Sequence, residues 1–139
     1  MKKNVMLSIR GRQFYEEQEP EVIELVTEGV MEHRGEEWLL TYEESELTGL
    51  KGVTTTFSIL PGKVVLTRTG ALASQMVFQE GVFHDSLYET EFGFSMMITV
   101  CAQKVACRLT ENGGTVDLTY AIEIEQTTAG FIEYHLDIQ

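Results

Sequence analysis

The residue of this 139-residue chain with the clearest capacity for chemistry is Arg68, in the segment Val64-Val65-Leu66-Thr67-Arg68-Thr69-Gly70. In an extended segment, alternation places Arg68 on the face of Val64, at the end of an inward row. A guanidinium at the mouth of an apolar interior can clamp a carboxylate or phosphate through two parallel hydrogen bonds. The competing use is an ion pair with Glu44 or Glu89, because an inward guanidinium needs a partner. Tyr42 and Glu44 share a face of a second segment with Trp38 and Leu40. Tyr88 shares a face of a third with His84, Ser86 and Thr90. With both faces inward, Tyr42, Glu44, Arg68, His84 and Tyr88 would converge on one ligand, as in a concave pocket carrying a few placed polar groups. The alternative for the third segment puts Phe83 and Leu87 inside. Both of its faces carry apolar residues, so alternation leaves the two open.

Other constellations are missing from the sequence. His33, His84 and His135 are single and far apart, without His-x-His, HExxH or Cys-x-x-Cys spacing, so no zinc site is expected. His33 falls in a turn and His135 alternates outward with Glu133 and Asp137, which reads both as surface residues. There is no G-x-S-x-G elbow, P-loop or dinucleotide-binding glycine pattern, and no cofactor is expected. Cys101 and Cys107, six apart on one strand, would lie about 20 Å from each other, beyond disulfide reach. They read as structural thiols of a cytosolic protein, since a nucleophilic Cys needs a nearby His and an electropositive site.

Composition bounds the partners. Twenty-two acids against ten bases give a formal charge of −12, with an apolar fraction of 43%. Phosphate affinity comes from clustered Lys and Arg, so nucleic acid is excluded as a partner. No apolar run approaches the ~18–20 residues of a membrane-spanning helix. Arg10 and Arg12 interrupt any signal-peptide core. The charge is uneven: residues 13–46 carry twelve acids and one base, and residues 109–139 six acids and none. Residues 47–108 are nearly neutral, with five bases and four acids. Because the acids alternate with apolar residues, they read as the solvated outside of strands.

The elements that must position these side chains are strands. In Val116–Glu125 every even residue is apolar, and Phe131–Ile138 repeats the pattern with Ile132, Tyr134, Leu136 and Ile138 inside. Thr127-Thr128-Ala129-Gly130 reads as their connection. Glu111-Asn112-Gly113-Gly114, Pro61-Gly62 and His33-Arg34-Gly35-Glu36 are hairpin turns. Strands are expected at Asn4–Gln13, Val22–Glu32, Glu37–Glu46, Val53–Leu60, Lys63–Thr69, Ala71–Glu80, Val82–Phe92 and Phe94–Thr110, with Gln13–Glu21 a loop. In the longest of these, Phe94, Met96, Ile98 and Val100 are even whereas Val105, Cys107 and Leu109 are odd. The inward parity flips near Ala102-Gln103, which calls for a β-bulge. Met6, Met31, Met76, Met96 and Met97 read as core gap-fillers. Turn signals every 8–12 residues with short hairpins throughout indicate an all-β, up-and-down antiparallel barrel of about 8–10 strands, residues 1–139 forming one domain.

Tyr42-Glu43-Glu44, then Leu47 with Gly49-Leu50, Thr55, Arg68-Thr69-Gly70, Phe78, and Tyr88-Glu89-Thr90-Glu91-Phe92-Gly93 resemble the YwiB-like family, a bacterial family of unknown function. The resemblance implies a calycin-like (lipocalin-like) β-barrel in a small cytosolic protein, and implies no catalytic or ligand-binding residues. Three functions are then expected. The leading one is a non-enzymatic barrel that binds a small molecule at Arg68, Tyr42, Glu44, His84 and Tyr88. The second is a module docking a protein partner, or a second copy as a homodimer, on its acidic outer face or an edge strand. The third is a hydrolase or isomerase using Arg68 with Glu44 or His84, which requires those groups within hydrogen-bond reach in one cleft.

Overall fold

The computed structural model describes residues 2–14, 19–45, 50–90, 93, 95–125 and 127–139. Ten strands follow one another: β1 (Lys2–Phe14), β2 (Glu21–Arg34), β3 (Glu37–Glu43), β4 (Val53–Leu60), β5 (Lys63–Gly70), β6 (Leu72–Phe78), β7 (Phe83–Thr90), β8 (Ser95–Thr110), β9 (Gly113–Ile124) and β10 (Thr127–Ile138). Each pairs antiparallel with its neighbours in sequence, and β1 pairs with β10, from Leu7↔Ile138 to Phe14↔Phe131, so the sheet closes into an up-and-down barrel. Closure satisfies the ladder groups that the first and last strands would otherwise expose. The docking of a partner on an edge strand therefore loses its edge at β1 and β10. Among the described residues no helix is long and apolar enough to cross a membrane.

The alternation read from the sequence is the alternation of burial. Val53, Thr55, Phe57 and Ile59 are buried on β4, and Leu72, Ser74, Met76 and Phe78 on β6, with their neighbours more exposed. The parity flip on β8 is a register shift between Ala102 and Lys104. It has a local cause. β7 starts only at Phe83, and the β6–β7 connection is stitched directly to β8: the Gly81 N–H donates to the Ala102 carbonyl (2.9 Å) and the Val105 N–H to Glu80 Oε1 (3.1 Å). β6 and β7 pair only at Leu72↔Thr90 and Ala73↔Glu89, then splay.

Several expectations are corrected. Thr127–Gly130 is no connection but the start of β10, with an irregularity between Thr128 and Gly130; the reversal is tighter, at Glu125, where φ is 51°. β3 ends at Glu43. Met6 (43% exposed) and Met97 (42%) face outward, unlike buried Met31 and Met76. Met6 sits beside Leu7, which takes the inward parity on β1; Met97 sits between inward Met96 and Ile98. His33 is half-buried and stacks on Trp38, ring centroids 3.8 Å apart. Gln13 belongs to β1 and Glu21 to β2, while residues 15–18 of the expected loop lie outside the described residues, as do Glu46, Leu47, Gly49, Glu91, Phe92 and Phe94.

The interior is divided. Phe57, Phe78, Leu118, Leu136, Val64 and Val116 are wholly buried and fill it, with the Phe78 and Tyr120 rings 4.6 Å apart. Towards the end carrying the β1–β2, β3–β4, β5–β6, β7–β8 and β9–β10 connections it is hollow, and the candidate site lies there. At the opposite end, Gly113 begins β9 with φ 116°, where an added Cβ would stand 2.1 Å from the Ile138 carbonyl oxygen. Gly113→Ala is expected to cost on the order of 2–3 kcal/mol in urea unfolding, from backbone strain plus the clash with β10. Gly35→Ala, at a turn with open space around it, should cost about 1 kcal/mol. Equal losses would contradict the packing of β9 onto β10 at this corner.

Candidate functional site

Register assembles the site from residues that alternation alone leaves scattered. Tyr42 pairs with Thr55, Thr55 with Arg68, and Arg68 with Ser74, so one inward row crosses β3, β4, β5 and β6. It lies directly beside an apolar row, Leu40–Phe57–Leu66–Met76, on the same four strands. Thr55 is 0% exposed and Ser74 8%, while Arg68 is intermediate. Single polar residues interrupting otherwise apolar inward rows are thus brought side by side.

The row opens into a cavity of about 360 Å³ lined by Tyr42, Glu44, Arg68, Tyr88 and Tyr134, with walls from Met76, Met96, Ile98, Ile122 and other apolar side chains. At about 30 Å³ per liquid water, that volume suits roughly a dozen non-hydrogen atoms. A larger groove of about 510 Å³ runs outside the barrel over Gly29, beside exposed Asn4 and Glu28. It gathers no comparable set of inward polar groups.

Hydrogen bonding separates the polar groups into satisfied and unsatisfied. Thr55 Oγ1 donates to Glu44 Oε1 (3.0 Å), holding a carboxylate that is only 7% exposed. The hydroxyls of Tyr42 and Tyr134 lie 3.2 Å apart, and Tyr42 is also hydrogen-bonded to Glu44. Either hydroxyl of the tyrosine pair can supply the proton between them. Burial, then the neighbouring Tyr134 and Glu44, drive the Tyr42 hydroxyl far above the usual phenol range. Burial pushes Tyr134 up to about 12, against opposing contributions from its hydrogen bond to Tyr42 and from the Arg68 charge. Both phenols are therefore neutral donors at physiological pH.

Arg68 differs. Its Nε is shielded from solvent and has no hydrogen-bond partner, and the same holds for Ser74 Oγ, its cross-strand neighbour, and for Ser86 Oγ on β7. Ser86 pairs with Ile98, a cavity-wall residue, so it too faces the interior. Among the described residues these are the buried side-chain polar atoms left without a partner, and all three lie on the adjacent strands β5, β6 and β7. The expected ion pair of Arg68 with Glu44 or Glu89 is not formed among the described residues.

The expected site is thus brought together in four of its five residues. Tyr42, Glu44, Arg68 and Tyr88 line the cavity. His84 does not: it sits four residues along β7 from Tyr88, about 13 Å further from the mouth at the strand rise. There it lies opposite buried Val100, and its Nε2 is 3.2 Å from Gln79 Oε1 across the gap where β6 and β7 splay. The alternative with Phe83 and Leu87 inside is overturned, because they are 67% and 46% exposed. The acid–base pairing of Arg68 with Glu44 or His84 finds no hydrogen bond to support it. The sequence placed Tyr134 inward, Ser86 on the face of Tyr88 and Thr55 in the family resemblance, but put none of them, nor Ser74, in the site. The available signal was a lone Thr or Ser in an apolar alternating row. Cys107 stays a thiol, since burial and then Asp117 push it up to about 11.

This is a closed, ten-stranded antiparallel barrel, packed at one end and hollow at the other around a buried polar row. The chain belongs to the family described as Domain of unknown function (DUF1934), whose model matches residues 7–138. The crystal structure of ywiB protein from Bacillus subtilis superposes with a TM-score of 0.82 at 20% identity, covering 98% of this chain and 92% of that one, a likeness of fold. No functionally curated protein matches the sequence.

Two predictions follow from these environments. An unsatisfied buried donor costs about 1–3 kcal/mol. Arg68→Met, which keeps the volume and removes the donor, should therefore raise the ligand-free protein's stability by about 1 kcal/mol in urea unfolding. A loss of similar size would show that Arg68 is internally paired. On the outer face, His135 Nδ1 lies 2.5 Å from Asp117 and Nε2 3.0 Å from Asp137. The hydrogen bond to Asp117 raises the imidazole above its ordinary value; burial opposes it, and the hydrogen bond to Asp137 adds to the rise. A raised folded value means that the stabilisation is complete below about pH 6.5 and fades as pH rises through that value. The stability deficit of His135→Gln should accordingly be larger at pH 5.5 than at pH 9. A deficit that grows with pH would reverse the assignment.

Proposed function

We propose that this protein is a non-enzymatic binder of a small molecule, held inside the hollow end of the barrel and acting in the cytosol. The observation that carries the reading is the cavity itself. The pocket opens at the barrel mouth, and unlike the groove beside Arg10 and Arg12 on the outer wall it is lined by inward residues of β3, β5, β7, β8, β9 and β10. A space of about 360 Å³ beside a solidly packed half is within the range of small-ligand pockets. Its walls are largely apolar and aromatic, with Glu44 and Arg68 the charged side chains among the described lining residues. The calycin-like resemblance adds an analogy of fold, a weaker support because function resides in sites. A catalytic reading has less to stand on. The tyrosines are neutral donors, the Cys107 thiol is protonated, and His84 is engaged elsewhere.

The test is native mass spectrometry of the full chain purified from its own host without stripping steps. A one-to-one adduct is expected, released on collisional activation. Ile122→Trp, which adds bulk to the cavity wall at a cost of about 1–3 kcal/mol, should give a folded protein by circular dichroism with the adduct lost. A bare mass for the wild-type chain, or an adduct retained at full occupancy in Ile122→Trp, would contradict binding inside the barrel.

A further inference from the structure

The cavity's polar side is asymmetric, and the asymmetry specifies a ligand group. Across β3–β6 the order is Tyr42, Thr55, Arg68, Ser74. The β3–β4 half is self-contained: Glu44 accepts from Thr55 and is hydrogen-bonded to Tyr42, and Tyr42 meets Tyr134. The β5–β6 half is not. Arg68 Nε is a donor with nothing to donate to, and Ser74 Oγ beside it is equally unpartnered. Ser86 Oγ is also unpartnered, but it lies further along β7, past the last β6–β7 pairing. Buried polar atoms are nearly always paired, and a native exception points to a water, ion or ligand group not otherwise accounted for. A cation-borne donor with a hydroxyl beside it on the neighbouring strand wants an acceptor with negative charge.

Resting on the reading of the barrel as a small-molecule binder, we propose that the ligand is a compact apolar carboxylate whose carboxylate group pairs with Arg68 where it lines the cavity, next to Ser74 on the adjoining strand. Its body, completing a molecule of about a dozen non-hydrogen atoms, lies against Met76, Met96 and Ile98. A carboxylate fits better than a phosphate ester. The row offers one guanidinium, and Glu44 already places a negative group on the far side of Thr55, so a dianion would bury a second uncompensated charge. The same asymmetry accounts for Arg68 standing apart from Glu44: Thr55 intervenes in the row and takes the carboxylate.

The test is calorimetric titration of the full chain with 2-naphthoate, its neutral isostere 2-naphthamide, and 2-naphthyl phosphate. These share one ring system and differ in the group offered to Arg68. Wild type is expected to bind naphthoate at least tenfold more tightly than the amide, and more tightly than the phosphate ester. In Arg68→Met the preference for naphthoate over the amide should vanish while the amide still binds. Ser74→Ala should weaken naphthoate several-fold. Both variants remove an unsatisfied group and are expected to fold, which their urea midpoints verify. Amide binding as tight as naphthoate, or an undiminished preference in Arg68→Met, overturns the carboxylate while leaving the barrel as a binder. A phosphate ester that outbinds naphthoate also overturns it, in favour of a dianion. Failure of all three compounds, together with a bare native mass, overturns the binding reading and this inference with it.

Discussion

The pairing of β1 with β10 is the contact on which everything else rests. It is the one strand pair distant in sequence, and it turns nine successive hairpins into a closed sheet. An open ten-stranded meander would present two unpaired edges, each a template for association. Closure also fixes which face is interior. Because side chains alternate with period two, one inward face on β1 and β10 sets every neighbouring register, and a slip of one residue would turn each row inside out. The bulge between Ala102 and Lys104 is the place where the rule is broken locally so that it can hold globally. β8 must serve β7 along one stretch and the β6–β7 connection along the next, and the extra residue re-aims it.

Given closure, the interior divides by side-chain size and polarity. The large apolar residues of β4, β6, β9 and β10 meet at one end and exclude water. At the other end the rows run into Thr55, Arg68 and Ser74, which cannot fill or seal the space. The cost of burying them is met at the β3–β4 side by Glu44, Tyr42 and Tyr134 of β10, and is left open on β5, β6 and β7. Natural proteins depart from local consistency mainly where function requires it. Here the departure is confined to three neighbouring strands around one cavity.

How much of this the sequence revealed depends on whether the information was local. Alternation in Val116–Ile124, the Asn112-Gly113 turn, Pro61-Gly62 and the parity flip near Gln103 are local patterns, and each appears in the structure as read. The inward direction of Arg68 was readable for the same reason. That Tyr42, Thr55, Arg68 and Ser74 form one row was not, because three registers must be known before four residues on four strands align. The exclusion of His84 depends on where β7 leaves β6, a feature of the closed sheet rather than of Val82–Phe92. Glu44 illustrates the limit most clearly. Its neighbour Glu43 is exposed and its segment acidic, yet it is 7% exposed, because it extends an inward row and Thr55 waits opposite.

The most direct measurement is a crystal structure, at a resolution that shows ordered solvent, of the protein taken from its host without removal of bound molecules. The account predicts continuous density for an organic molecule in the hollow end, with an oxygen within about 3.3 Å of Arg68 Nε, the outer range of a hydrogen bond. A hollow end collapsed shut by its own side chains, or an Arg68 guanidinium seated directly on Glu44, would contradict it.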